Sequence, residues 1–265
     1  MSLLEIQNLS IHFGGVKAVQ NVTFSVENGD FIGLIGPNGA GKTTVFNAVT
    51  GVIPPTLGDI YFDGQRLNGM RPDRISHLGI ARTFQNIRIY PRMTALENVA
   101  IGLDSRASYN TVSAMLRLPH VVKRDKEIKQ TCLQYLDQVG LIQHRDTEVG
   151  SLPYGLQRKV EIARALATGP KLLFLDEPAA GMNTAESLEL VDFLRKLHRE
   201  TGIAIVLIEH HLEVVMEVCR NIQVLNLGQL LASGTPEEIQ KNPDVIKAYL
   251  GERLSLIHIS RLPVE

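Results

Sequence analysis

The sequence has almost no net charge: 27 lysines and arginines stand against 28 aspartates and glutamates, leaving −1 at neutral pH. No global basic field therefore draws the chain to nucleic acid or to an anionic lipid surface. Cysteine is scarce. Cys132 and Cys219 lie far apart, with neither metal-ligand nor redox spacing, and read as ordinary buried or half-buried thiols in a reducing compartment. Long apolar runs are missing as well. Runs such as Ile203 to Ile208 are far too short to cross a bilayer. The opening Met-Ser-Leu-Leu-Glu has no basic segment and no apolar stretch, so no signal peptide is expected. Any membrane role would have to come through a partner. There is no internal repeat and no low-complexity segment. What is present is a chain of 265 residues, 44% hydrophobic and 21% charged. That is the composition of a soluble globular protein, long enough for one large domain or a domain with an inserted lobe.

The most specific stretch is Gly36-Pro37-Asn38-Gly39-Ala40-Gly41-Lys42-Thr43-Thr44. It fits G-x-x-x-x-G-K-[ST], the loop that cradles nucleotide phosphates. Phe31 to Ile35 reads as a short buried strand feeding it, and Lys42 to Val49 as a helix ending at Gly51. The glycines let backbone N–H groups turn inward. Those groups, and the positive end of the helix they open, favour a polyanion. Lys42 adds a full positive charge for the β- and γ-phosphates, and Thr43 offers a hydroxyl to the accompanying magnesium ion. A chance glycine turn beside a surface lysine would explain the residues but not the strand before and the helix after.

The remaining chain reads in order. Residues 3–13 and 22–26 partly alternate apolar and polar positions, as antiparallel strands do. Phe13 reads on its own as core, with base stacking as the alternative. Asn28-Gly29 marks a tight turn, and Asp59 to Gly64 a further strand and turn. Gln85 follows Thr83-Phe84 and says little alone. Residues 95–150 carry helical periodicity: Ile128, Cys132, Tyr135, Leu136 and Val139 share a face, and Gly140 ends it. Between Asn110 and His120 no boundary is legible. Ser151 to Arg158 opens a helix reaching about Thr168, stopped by Gly169-Pro170, and offers a second helix start to a phosphate. Lys171 to Pro178 is an apolar strand with two acids, Asp176 and Glu177, at its carboxyl end, where ligands bind in open α/β sheets. Residues 184–200 form an amphipathic helix with Leu190, Val191, Leu194 and Leu197 on one side. Gly202 to Ile208 is another apolar strand, closed by Glu209-His210-His211. Ile222 to Leu227 and Gln229 to Ala232 form a hairpin about Gly228. Thr235-Pro236-Glu237-Glu238 and Asn242-Pro243-Asp244 each start a helix. Residues 254–265 fit no element; Leu-Ser-Leu-Ile-His-Ile resembles a translated sequencing adapter, with a native tail as the alternative.

Taken in order, these motifs resemble the ATPase subunit of ATP-binding cassette (ABC) transporters over residues 1–253. The resemblance implies an α/β fold: a P-loop NTPase (RecA-like) core with an antiparallel β subdomain over 1–94 and 158–235, a helical subdomain over 95–157, and carboxyl-terminal helices over 236–253. It implies ATP and Mg2+ as ligands. Phe13 would stack on adenine and Gly36 to Thr44 would hold the phosphates. Gln85 would sense magnesium and the attacking water. Leu152 to Gln157 would be the signature, with Gly155 acting in trans on a partner's nucleotide. Thr43, Gln85 and Asp176 would serve the metal, Glu177 would be the general base, and His210 the switch histidine. Implied partners are a second ABC ATPase subunit, a membrane permease docking near Asn86 to Asn98 and, indirectly, a periplasmic binding protein. The place would be peripheral, on the cytoplasmic face of the plasma membrane. Residues 152–164, 176–183 and 242–252 resemble most closely the ATPases of branched-chain amino-acid importers. Urea/amide importers and the lipopolysaccharide-export ATPase share parts of these stretches.

The departures from the family pattern matter too. The usual signature is Leu-Ser-Gly-Gly-Gln; here Pro153, Tyr154 and Leu156 replace the serine, the first glycine and the glutamine. Proline offers neither hydroxyl nor N–H to a γ-phosphate. Asn183 stands where the loop usually ends in Asp, and His211 replaces a frequent Asp. An intact phosphate loop beside an altered signature implies an asymmetric pair of unlike cassettes. Two rivals are weaker. A soluble ABC ATPase of translation or repair would carry fused cassettes, coiled-coil insertions or basic surfaces, and a GTPase would carry Asn-Lys-x-Asp; none is present.

Overall fold

The computed structural model describes residues 2–104 and 118–250; the tail at 254–265 lies outside them. The chain starts with two long strands, β1 (Leu4–Phe13) and β2 (Val16–Val26), then the short β3 (Phe31–Ile35) and α1 (Lys42–Val49). After these come β4 (Leu57–Phe62), β5 (Gln65–Arg66) and α2 (Pro72–Leu78). The middle of the chain holds β6 (Ile80–Arg82), α3 (Ala95–Asp104), α4 (Pro119–Gln138), α5 (Tyr154–Ala167), β7 (Leu172–Asp176) and α6 (Thr184–Thr201). Last are β8 (Ala204–Ile208), α7 (Leu212–Val218), β9 (Asn221–Asn226), β10 (Gln229–Gly234), α8 (Pro236–Lys241) and a helix α9 over 243–250. The described residues fall into two compact units. The first draws on residues 2–75 and 204–250, the second on the described residues within Ser76–Ile203.

The first unit contains two kinds of sheet. One is antiparallel, in the order β2-β1-β4-β5. Leu4 pairs with Val26 on one side and Phe62 on the other, so its side chain is sealed between neighbours. The other runs β10-β9-β3-β8, with β3 parallel to both β8 and β9. Every residue of β3 and of β8 is buried. A strand covered on both faces has no solvent side, which is why Phe31-Ile32-Gly33-Leu34-Ile35 and Ala204-Ile205-Val206-Leu207-Ile208 do not alternate. Each large side chain so buried contributes about 1.5–3 kcal/mol relative to exposure.

The second unit pairs β6 with β7 in parallel and packs helices around them. All of Leu172–Asp176 is buried, the acid included. On α4, Cys132, Leu136 and Val139 are buried as the periodicity requires, and Gly140 ends the helix at φ 72°. Helix α6 carries both its start and its stop: Asn183 and Glu186 form a reciprocal capping box, and Gly202 closes the far end in the left-handed conformation. Thr235 and Glu238 cap α8 in the same way. The helix expected from Ser151 begins at Tyr154, after a 3-10 turn over Val149–Ser151 and a buried Leu152. Phe13 is corrected as a core residue. It sits at the last position of β1 with 49% of its surface exposed.

The glycine loop between β3 and α1 is built backbone against backbone. Gly36 has φ 149°, and a Cβ there would stand 2.0 Å from the Leu225 carbonyl oxygen of β9. Nothing lies within 4 Å of a Cβ at Gly39, whose φ is 73°. The two glycines therefore meet different demands: the first a wall, the second only a dihedral angle. Gly36→Ala should lower unfolding free energy by on the order of 2 kcal/mol or more, and Gly39→Ala by about 1 kcal/mol. Urea titration of both variants checks the order; equal losses would contradict it.

Cys132 and Cys219 are both buried and free. Burial pushes the Cys132 thiol up to about 11 and the Cys219 thiol higher still. Alkylation at pH 8 should therefore run at least ~10-fold slower in the native protein than in denaturant. Native labelling as fast as in the unfolded chain would contradict the packing.

Candidate functional site

In the first unit the loop after β3 closes on its own lysine. Lys42 opens α1 and is buried, and its ammonium donates to the carbonyls of Gly36 (2.7 Å) and Pro37 (3.0 Å). The loop is pinned from both ends. The Ala40 amide donates to Pro37 O at 3.1 Å, and the Gly228 amide of the β9–β10 turn donates to Ala40 O at 3.1 Å. Gly41 is the residue before the helix, at φ 102°. Gly39 and Asn38 are exposed, Thr43 is exposed and Thr44 half-buried at the first turn of α1. The loop thus brings together the positive end of α1 and a cation folded against its carbonyls. Such a cradle fits a chain of phosphates.

His210 belongs to the same unit. It follows β8, the parallel neighbour of β3, with Leu34 paired to Ile208. The glycine loop and His210 thus leave from the carboxyl ends of adjacent parallel strands, the edge where open α/β sheets bind ligands. His210 is exposed, and its backbone amide donates to the buried Glu209 carboxylate at 3.1 Å. The same carboxylate accepts from the His211 amide at 3.3 Å and lies 3.4 Å from His211 Nδ1. Glu209 therefore fixes the backbone on which His210 stands. Phe13 leaves about half of its surface exposed, as stacking on a base requires.

The second unit holds the acids and the glutamine. Gln85 Nε2 donates to Glu177 Oε2 at 2.7 Å. Glu177 is buried and has φ 47°, a left-handed conformation unusual for a non-glycine residue. Strain of this kind costs about 1–3 kcal/mol and persists where the surroundings hold it. One residue earlier, Asp176 Oδ2 accepts from Arg82 Nη2 at 2.7 Å, with the two side chains 4% and 9% exposed. The Asp176 amide reaches the Thr83 hydroxyl at 3.4 Å. Three positions at and just beyond the end of β6, at 82, 83 and 85, thus meet the two acids at the end of β7. Arg82 and Thr83 serve Asp176, and Gln85 serves Glu177.

The altered signature lies at the start of α5, in this unit. Pro153 is its N-cap and makes no side-chain hydrogen bond. A Cβ at Gly155 would meet nothing within 4 Å, so the first turn is open to approach. Gln157 turns back, donating to Leu152 O at 2.8 Å. Deeper in the helix, burial holds the Arg164 guanidinium below its ordinary value, with Glu161 opposing the shift.

Sequence reasoning missed Arg82, Glu209 and the buried pair Arg158–Glu161. Each is a charged residue beside a motif, which in a sequence looks like solvated surface. The available signal was spacing: Arg158 and Glu161 stand three apart, facing a stripe that is otherwise apolar.

Comparison with known proteins adds to this geometry. Residues 19–180 match the family described as ABC transporter, and residues 229–254 the one described as branched-chain amino acid ATP-binding cassette transporter. The high-affinity branched-chain amino acid transport ATP-binding protein BraF of Pseudomonas aeruginosa is 42% identical over 250 residues, covering 94% of this chain and 98% of BraF. LivG of Escherichia coli, whose name carries the same wording, matches at the same identity and coverage. Among solved structures, the ADP conformation of MJ1267, an ATP-binding cassette of an ABC transporter, superposes with a TM-score of 0.82 at 31% identity, over 95% of this chain and 99% of that one. With the glycine loop and the strand-end acids each built within a compact unit and the family matched across both, the chain belongs to the ABC transporter family, as one of its ATP-binding cassettes.

Proposed function

We propose that this chain is the ATP-hydrolysing subunit of an importer for branched-chain amino acids. The observation that carries the hydrolytic part is the 2.7 Å hydrogen bond from Gln85 to the strained, buried Glu177, one residue beyond the Asp176 acid. The solute is supported by the names of BraF and LivG and by the match over residues 229–254. A permease, a periplasmic binding protein and a peripheral place on the cytoplasmic face of the membrane go with that reading. No described helix is long and apolar enough to cross a membrane.

Each residue takes a role suited to its surroundings. The backbone of Gly36 to Gly41 and the Lys42 ammonium hold the triphosphate, with Phe13 against the base. Glu177 takes a proton from water as the water oxygen bonds to the γ-phosphorus. The bond from that phosphorus to the β-phosphate oxygen breaks, and ADP leaves. Gln85 orients both the Glu177 carboxylate and the water. His210 addresses the γ-phosphate and reports its presence. Thr43 in the first unit, and Asp176 and Gln85 in the second, each offer an oxygen donor, the kind that suits a hard divalent cation. When bound, Mg2+ offsets negative charge on the β- and γ-phosphates.

The signature departs where a partner's nucleotide would meet it, so we infer a pair of unlike cassettes. The partner would supply a fuller signature to the nucleotide on this chain's phosphate loop. The site completed by Pro153 to Gly155 would be the weaker of the two. In the reconstituted transporter, ATP turnover should be unequal between the two sites; equal turnover would contradict the pairing.

Two substitutions separate binding from chemistry. Glu177→Gln should retain ATP affinity while losing about 10²-fold or more in kcat. Lys42→Ala should weaken ATP binding by on the order of 10-fold or more. Equilibrium binding of ATP and steady-state phosphate release measure both. Normal turnover in Glu177→Gln would remove it from the role of base.

A further inference from the structure

A guanidinium with no solvent exposure is carried by the fifth residue of the helix that bears the altered signature. Arg158 Nη1 donates to the Phe84 carbonyl at 2.8 Å and to Glu161 Oε2 at 2.7 Å, and Nη2 donates to the Gln85 carbonyl at 3.0 Å. The other Glu161 oxygen accepts from the Arg88 amide at 3.2 Å. The pair is 0% and 2% exposed.

Burying such a pair requires desolvating both charges, and well-packed apolar side chains of the same volume would often serve stability as well or better. Its hydrogen bonds show where it acts instead. Residues 83–90 belong to no strand or helix. Within that stretch the pair grips two carbonyls at one end and an amide at the other. Gln85 is thereby held by its backbone to α5, while its side chain donates to Glu177. A continuous path of hydrogen bonds runs Glu161–Arg158–Gln85–Glu177, all inside the second unit.

We propose that Arg158 and Glu161 are positioning residues for hydrolysis: they fix Gln85 against Glu177 and make the glutamine loop follow the signature helix. The inference rests on the reading of Glu177 as the base. The pair acts through Gln85. Lysine cannot replace Arg158, because one ammonium on a flexible stem cannot hold two carbonyls and a carboxylate in a plane.

The test uses the full chain in its transporter complex, with Arg158→Met/Glu161→Leu as an apolar replacement of the pair. Arg158→Lys, which keeps the charge, stands in should the double variant fail to fold. Measured quantities are the melting temperature, ATP affinity, kcat and KM, each with and without Gln85→Ala. A folded double variant should bind ATP within ~2-fold of wild type, keep KM, and lose about 10-fold or more in kcat. Adding Gln85→Ala should then cost no more than ~2-fold further, although Gln85→Ala alone costs about 10-fold. Arg158→Lys should show the same split between kcat and KM and the same non-additivity. Full turnover in a folded variant, a loss confined to KM, or losses that multiply with Gln85→Ala would overturn the proposal. Wild-type turnover abolished by Glu177→Gln is the control for the underlying reading. If that control fails, the base is misassigned and the pair has no hydrolysis step to position.

Discussion

A carbonyl oxygen of β9 occupies the space a side chain at position 36 would need. The constraint is local, but the rest of the phosphate-binding architecture follows from it. Because the loop leaves β3 with its backbone against another backbone, its path is set by strand packing and not by side-chain choice. The start of α1 and the Lys42 ammonium are then held in place before any anion arrives. Such preorganised donors need no reorganisation at the moment of reaction, which is the largest contribution many active sites make. The cost is carried by the fully buried strands around it, β3 and β8.

The chain divides labour between its two compact units. The first provides the cradle, Lys42 and His210; the second provides Asp176, Glu177, Gln85 and the altered signature. Within each unit the side chains assigned roles in the proposed reaction are held by neighbours assigned none. Glu209 anchors the backbone of His210, Arg82 braces Asp176, and the Arg158–Glu161 pair braces the loop of Gln85. A carboxylate between a glutamine donor and a strained backbone can be aimed to a fraction of an ångström. Loss of such aim is why changes remote from a reacting atom lower kcat while leaving binding intact.

Much of this was legible in the residues. The three apolar strands, the helix from Lys42 and the cap at Thr235 depend on local rules, and the structure places them within a residue or two of expectation. Phe13 was misjudged alone because alternation in a strand says which face a residue takes, not whether anything covers that face. The start of α5 was placed early because Pro153 can cap a helix but Leu152 before it is spent on the core. Arg82, Glu209 and Arg158 were invisible for a different reason. Their partners are distant in sequence or are backbone atoms, and composition does not record a backbone acceptor. The pairing of Arg158 with the carbonyls of residues 84 and 85 spans more than seventy positions.

The central claim is that a triphosphate held by the glycine loop is cleaved by water under the control of Glu177. The most direct measurement mixes excess transporter with radiolabelled ATP and Mg2+, quenches at intervals, and counts intact ATP against released phosphate. The account predicts that the ATP bound to this chain's glycine loop is converted to ADP and phosphate in one fast phase, separate from any slower phase at the weaker site. Bound ATP that survives intact through many times the steady-state turnover time would contradict it.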